Sequence, residues 1–307
     1  MIRFGLCCIF HNEPIKFRHA TAKGICKLDR AGQLTKLSDI ALHNAEALLQ
    51  ALDYAAAHGI GAFRIMSQML PLYTHPEVGY VLDDLPEASR IRKEFGAVKK
   101  FASENDIRLS FHPDQFVVLA SPTDKVVANS IKELCYQCML AELVGAENVN
   151  LHMGGVYGDK AATVKRFSKV FQGLPEYVKS RLTLENDDYS YHVADLYPVC
   201  MELGIPLVYD VHHHRCNPDC LSVEEATAKS IETWDACGRE PHFHISSPRN
   251  GWDSGKPQPH SDYIDVNDFP ECWLKLDRKI TVDLEAKFKE LAIERLRNDL
   301  GVAERKK

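Results

Sequence analysis

No stretch of this sequence is apolar for the roughly 20 residues that crossing a bilayer requires, so no membrane span is expected. The opening MIRFGLCCIF has no basic n-region, long apolar core or cleavage site, so no secretory signal is expected either. The absence of a G-x-S-x-G elbow disfavours a nucleophilic serine. No glycine-rich phosphate loop follows the first strand-like run, which argues against an open dinucleotide-binding sheet. Bulk positive charge is missing too: 37 Lys+Arg against 43 Asp+Glu give a net charge of −6. That weighs mildly against nonspecific nucleic-acid binding, but not against a local basic groove or metal ions that reverse an acidic site. The 10 cysteines lack the spacing of a disulfide scaffold, and reduced thiols in a cytoplasmic or nuclear protein are expected. Cys135 and Cys138 read as small hydrophobes on a buried helix face. Cys216 and Cys220 have no matching second pair, which disfavours a zinc knuckle.

What is present is ordinary globular composition, 45% hydrophobic and 26% charged, in 307 residues. Strand-like runs fall at 2–8, 61–66, 107–111, 148–152, 181–185, 206–211, 241–246 and 279–285. Helical spacing separates them at about 37–58, 88–105, 123–145, 159–179, 191–203 and 223–237, with a last helix over 285–299. The stretches ELVGAENVNLH and MELGIPLVYDV each pass from helix through glycine to strand. Such alternation predicts a parallel sheet covered by helices, and eight units predict an α/β fold of the (β/α)8 TIM-barrel type. One domain over 1–307 is expected, with a long βα loop at about 249–270 and a frayed RKK end at 305–307.

Five runs end in ionisable residues: His152, Glu185, Asp210 with His213, His242 with His244, and Glu285. Unpaired buried charge is costly, and a shared cluster of N and O ligands around divalent metal would remove that cost. His112, His260 and His75 are further candidates. In HHHRC (212–216), an extended chain would turn alternate histidines to opposite sides. His213 is therefore the expected ligand, while His212 and His214 rank second. Arg64, Arg215, Arg249 and Lys287 lie near the tips and suit phosphate oxygens, or are solvated surface charges. In HPDQFVVL (112–119), Gln115 and Phe116 could wedge into a base stack. The more ordinary reading is a loop with Phe116 packed inward.

Together these stretches resemble the UV damage endonucleases. The resemblance rests on RIMSQMLPLYTH (64–75), HPDQF (112–116), NVNLHMGG (148–155), LTLENDD (182–188), VYDVHHHRCN (208–217), HFHISSPR (242–249), HSDYI (260–264) and DLEAKFKE (283–290). It implies a metal-dependent endonuclease that nicks damaged double-stranded DNA 5′ of cyclobutane pyrimidine dimers and 6-4 photoproducts. It also implies metal ligation by His112, His152, Glu185, Asp210, His213, His244, His260 and Glu285. Lys287 would contact phosphate at the active site, with Arg249 nearby. Gln115 and Phe116 would probe the lesion, and His75 would lie near the metals or the lesion-side phosphate. The chain departs from the family at His242, where a modifiable lysine is frequent, and at Leu6, where a tyrosine is frequent.

The expected catalytic set is Glu185, Glu285, Lys287 and His244. Two or three divalent ions are expected, Mn2+ first, with Zn2+, Co2+ or Mg2+ as alternatives. The expected partner is damaged DNA, bound by a monomer without a membrane. The rival readings are a metal-dependent sugar isomerase or epimerase on a similar barrel, and a barrel that binds metal and DNA without cleaving.

Overall fold

The computed structural model describes residues 1–302, so the RKK segment at 305–307 lies outside the described residues. All eight expected strands form: β1 Ile2–Cys7, β2 Ala62–Ile65, β3 Arg108–Phe111, β4 Asn148–His152, β5 Leu182–Glu185, β6 Leu207–Asp210, β7 His242–Ile245 and β8 Ile280–Leu284. They pair in parallel in chain order, and β8 closes on β1. Around them run α1 Ala22–Ile25, α2 Arg30–Ala57, α3 Ala88–Glu104, α4 Asp124–Val144, α5 Lys160–Gln172, α6 Glu176–Lys179, α7 Val193–Leu203, α8 Val211–Cys216, α9 Val223–Asp235, α10 Glu271–Leu274 and α11 Lys289–Leu300.

Local chemistry sets these boundaries. Asp29 accepts from the Gly32 amide at 2.9 Å, so α2 begins before the apolar stripe does. Ser222 and Glu225 make a reciprocal capping box on α9. Gly145 and Gly204 end α4 and α7 at φ +76° and +67°, a conformation only glycine adopts without cost. The expected helix over 159–179 is split, because Gly173 ends α5 and Pro175 starts α6. The last helix starts at Lys289 rather than 285, since Ala286–Phe288 first turn the chain away from β8.

The strands alternate between two environments. Leu182, Leu184, Phe243, Ile245, Ile280, Val282 and Leu284 are buried apolar residues of the main core between barrel and helices. The residues between them are polar and meet across the barrel. Arg108 donates to Thr281 at 3.1 Å, Thr183 to Asn150 at 2.9 Å, and the Asn148 amide to His242 Nδ1 at 3.2 Å. Most barrels of this kind fill the interior with branched aliphatics; this one is ionic at its centre. The 249–270 loop carries two single helical turns, Trp252–Ser254 and Val266–Asp268, and folds back through a Pro248–His260 bridge. No helix among the described residues is long and apolar enough to cross a membrane.

Candidate metal centre

Glu185 ends β5 and is fully buried. Four histidines from four other segments converge on its carboxylate. His112 Nε2 lies 3.1 Å from Oε2 and His152 Nε2 3.8 Å from it. His213 Nδ1 and His244 Nδ1 lie 3.2 and 3.1 Å from Oε1. Asn150 donates to Oε2 from the neighbouring strand. Burial alone would raise this carboxyl, but His244, His152, His112 and His213 outweigh it and hold Glu185 well below the usual carboxylate range.

Asp210 ends β6 and caps α8: its Oδ1 accepts from the His213 amide at 2.8 Å. The cap corrects the extended reading of 212–216, because the chain turns helical at Val211. All three histidines are consequently buried. Two of them have partners away from Glu185. His214 is committed to the Tyr209 hydroxyl at 2.6 Å and Asp219 at 3.2 Å, and His212 to the Gln258 carbonyl at 3.2 Å. His213 faces Glu185 and Asp210. Burial would lower it, but those two carboxylates raise it well above the ordinary histidine value.

Glu285 follows β8, with Oε2 3.5 Å from His260 Nδ1 on the long loop. Its other oxygen meets Arg64 Nη1 at 2.6 Å. Arg64 is therefore neither a surface charge nor a free phosphate contact: it is buried and also paired with Asp283. The pairing of Arg64 with Asp283 is what the sequence reading missed. The signal was present for Asp283, since in ITVDLEAK it shares strand parity with Glu285.

The residues fit divalent metal. Glu185 Oε1, Asp210 Oδ2, His152 Nδ1 and His244 Nδ1 are buried without a hydrogen bond. Donor atoms of His112, His152 and Glu185, of Glu185, Asp210 and His213, and of Asp210, His244 and Glu285 each lie within 4.8 Å of one another. Mixed imidazole and carboxylate sets of this kind suit Mn2+, Zn2+ or Co2+.

The remaining candidates stand on the loops. Phe116 is 77% exposed, so the inward-packed reading is wrong, and Gln115 beside it is exposed as well. Asp114 accepts from the Phe116 amide at 3.0 Å and so fixes the turn that lifts the ring into solvent. His75 belongs to none of the ligand groups. Its Nδ1 accepts from the Glu77 and Val78 amides, and it lines a cavity of about 500 Å³ with Phe116, Lys125 and Lys132. Arg249 and Lys287 are exposed. Their amides anchor the long loop, donating to Pro259 and Ser261 carbonyls at 2.7 and 3.1 Å.

A family model described as UV-endonuclease UvdE matches residues 2–306. The chain belongs to that family. A UV DNA damage endonuclease of Bacillus velezensis is 33% identical over 98% of this chain and 94% of its own length. One from Bacillus cereus is 33% identical over 98% and 95%. Among solved structures, SacUVDE superposes with a TM-score of 0.86 at 26% identity, covering 99% of this chain and 100% of its own. Endonuclease IV from Thermus thermophilus (TM-score 0.58, 16% identity, 98% and 100% coverage) shares the fold alone. So does a D-psicose 3-epimerase from Clostridium cellulolyticum (0.53, 11%, 92% and 84%). Family membership therefore separates this barrel from the sugar epimerases that share its architecture, and makes it a UV-damage repair endonuclease that acts on DNA.

Proposed function

We propose that this chain nicks duplex DNA on the 5′ side of cyclobutane pyrimidine dimers and 6-4 photoproducts by metal-dependent hydrolysis. The observation that carries the reading is Glu185, fully buried and ringed by four histidines, with buried donor atoms left unsatisfied around it. His112, His152, Glu185, Asp210, His213, His244, His260 and Glu285 would hold two or three divalent ions, Mn2+ first. When bound, the ions supply positive charge at the scissile phosphate and lower the pKa of the attacking water.

The chain's own residues do the rest. Glu185 and Glu285 set the charge and spacing of the site, and His244 holds a ring nitrogen toward both. Lys287 and Arg249, exposed beyond the ends of β8 and β7, offer cations to flanking phosphates. Water oxygen joins phosphorus, the bond to the 3′ oxygen breaks, and a 3′-hydroxyl and a 5′-phosphate result. Phe116 and Gln115 enter the stack at the damaged step, with His75 alongside. A lesion weakens stacking, so the distortion costs less there than in intact duplex. All the proposed ligands come from one chain, so a monomer suffices.

Incubating the protein with Mn2+ and either UV-irradiated or untreated plasmid tests the reading. Irradiated supercoiled DNA should relax and untreated DNA should not. Equal inertness toward both would sink it.

A further inference from the structure

The possible ligand groups differ in depth. One of them, His242, His244 and Asp283, consists of side chains at 1%, 1% and 0% exposure inside the barrel. A permanent cation already sits there. The Arg64 guanidinium places Nε 3.3 Å from Asp283 Oδ2, Nη2 3.1 Å from His244 Nε2 and Nη1 2.6 Å from Glu285 Oε1. Arginine does not deprotonate in proteins, so a divalent ion held by the triangle would sit against a guanidinium at low dielectric; Glu285 meets the same guanidinium but keeps its Oε2 toward His260 at the mouth. The triangle is held in part by its neighbours, although His242 Nε2, His244 Nδ1 and Asp283 Oδ1 have no hydrogen bond. His242 Nδ1 meets the Asn148 amide at 3.2 Å, and its Nε2 lies 3.2 Å from Asp283 Oδ2. The barrel makes room for this carboxylate: Gly5 pairs with Asp283 across the β1–β8 ladder, and a Cβ there would collide with Asp283 Oδ1.

We propose that Asp283 is a positioning residue and not a metal ligand: it anchors Arg64 and stands behind His244, and so seats His244 and Glu285 for the ions at the mouth. His244 Nδ1 faces the mouth, 3.1 Å from Glu185 Oε1 and 3.5 Å from Glu285 Oε1. In the structure Arg64 donates to Nε2. A ring that gives Nδ1 to an ion carries its proton on Nε2 instead; Arg64 then turns from it, and Asp283 Oδ2, 3.8 Å away and short of hydrogen-bond contact in this structure, is the carboxylate on that side. A ligand histidine held from behind by a carboxylate keeps its orientation and gains basicity. Glu285 is fixed from the same side, through the Arg64 fork. The inference rests on the mouth being a divalent-ion centre.

Titration of Mn2+ into metal-stripped protein, followed calorimetrically, decides it. Asp283→Asn keeps one acceptor oxygen and should bind the wild-type number of ions, at least one of them more weakly. The double variant Arg64→Met/Asp283→Leu removes the Arg64–Asp283 pair together, so neither of those charges is left buried without the other, while Glu285 loses its Arg64 contact. It should also keep the wild-type number, with a larger loss, on the order of 10–100-fold in affinity. Loss of a whole equivalent in Asp283→Asn, or in the double variant but not in Arg64→Met alone should the first fail to fold, makes Asp283 a ligand and overturns the proposal. Wild-type affinity in both variants overturns it as well. Wild-type protein that takes up no ion overturns the metal reading together with this one. Nicking of irradiated plasmid by the wild type reports on the nuclease reading separately.

Discussion

Glu185 and Phe116 are opposite kinds of residue, and each makes its own prediction. Glu185 is buried among histidines and accepts from Asn150, so Glu185→Gln keeps the shape while removing the charge the ring is built around. Nicking should fall by on the order of 10²–10³-fold or more, the scale of losing several kcal/mol of charge stabilisation. A gel assay of irradiated plasmid that shows wild-type rates would remove Glu185 from the centre. Phe116 contributes little to the core, being 77% exposed. Phe116→Ala should change folding stability by less than about 0.5 kcal/mol. It should lower preference for damaged over intact duplex on the scale of one stacking contact, about 1–3 kcal/mol. Competition binding with irradiated and untreated duplexes, beside thermal melts, reads both effects.

At the scale of elements, the strands deliver the chemistry and the helix stops set the register. Strand β4 ends on His152 and β6 on Asp210, each entered through a helix–glycine stop, whereas β5, which ends on Glu185, is entered from α6 through Ser180 and Arg181. Gly204 lies at φ +67° with nothing near a Cβ position, so alanine there meets strain without a clash. Gly204→Ala should lose about 1–2 kcal/mol in urea unfolding, the left-handed penalty, and Gly204→Asn less. Nicking should be unchanged in both, and equal stability of Gly204→Ala and wild type would contradict the stop's role. The same logic explains the histidine run: Asp210 caps α8, and the helical turn buries side chains that an extended chain would have split.

At the scale of the whole molecule, closure of the barrel ties distant segments together at the end away from the metal centre. Glu240 joins Arg3 of β1 at 3.1 Å and accepts from Thr281 of β8 at 2.6 Å. Burial would raise its carboxyl, but Arg3, Thr281 and Arg108 outweigh that and lower it below its ordinary value of 4.5. A carboxylate lowered on folding contributes stability above its unfolded value, and that contribution is lost as pH falls through the folded value. Melting temperature should therefore drop below about pH 4.5, and Glu240→Gln should flatten that limb of the curve. Identical acid limbs for variant and wild type would show that the tie does not matter.

The sequence by itself determined the eight strands, most of the helices and the set of carboxylates and imidazoles. Those follow from local periodicity and from charge at strand ends, which a linear reading can see. It also carried the family resemblance, because short motifs such as LEND and HISSP are contiguous. Only the tertiary structure decided which groups meet. Arg64 read as a phosphate contact or a surface charge because nothing nearby in sequence marks its partners, Asp283 and Glu285, more than two hundred residues away. For Phe116 the residues alone left inward packing beside a wedge into the base stack; a turn set by Asp114 put the ring in solvent. Barrel closure sets β1 between β2 and β8, and that single long-range fact places a guanidinium beneath the carboxylates of the mouth.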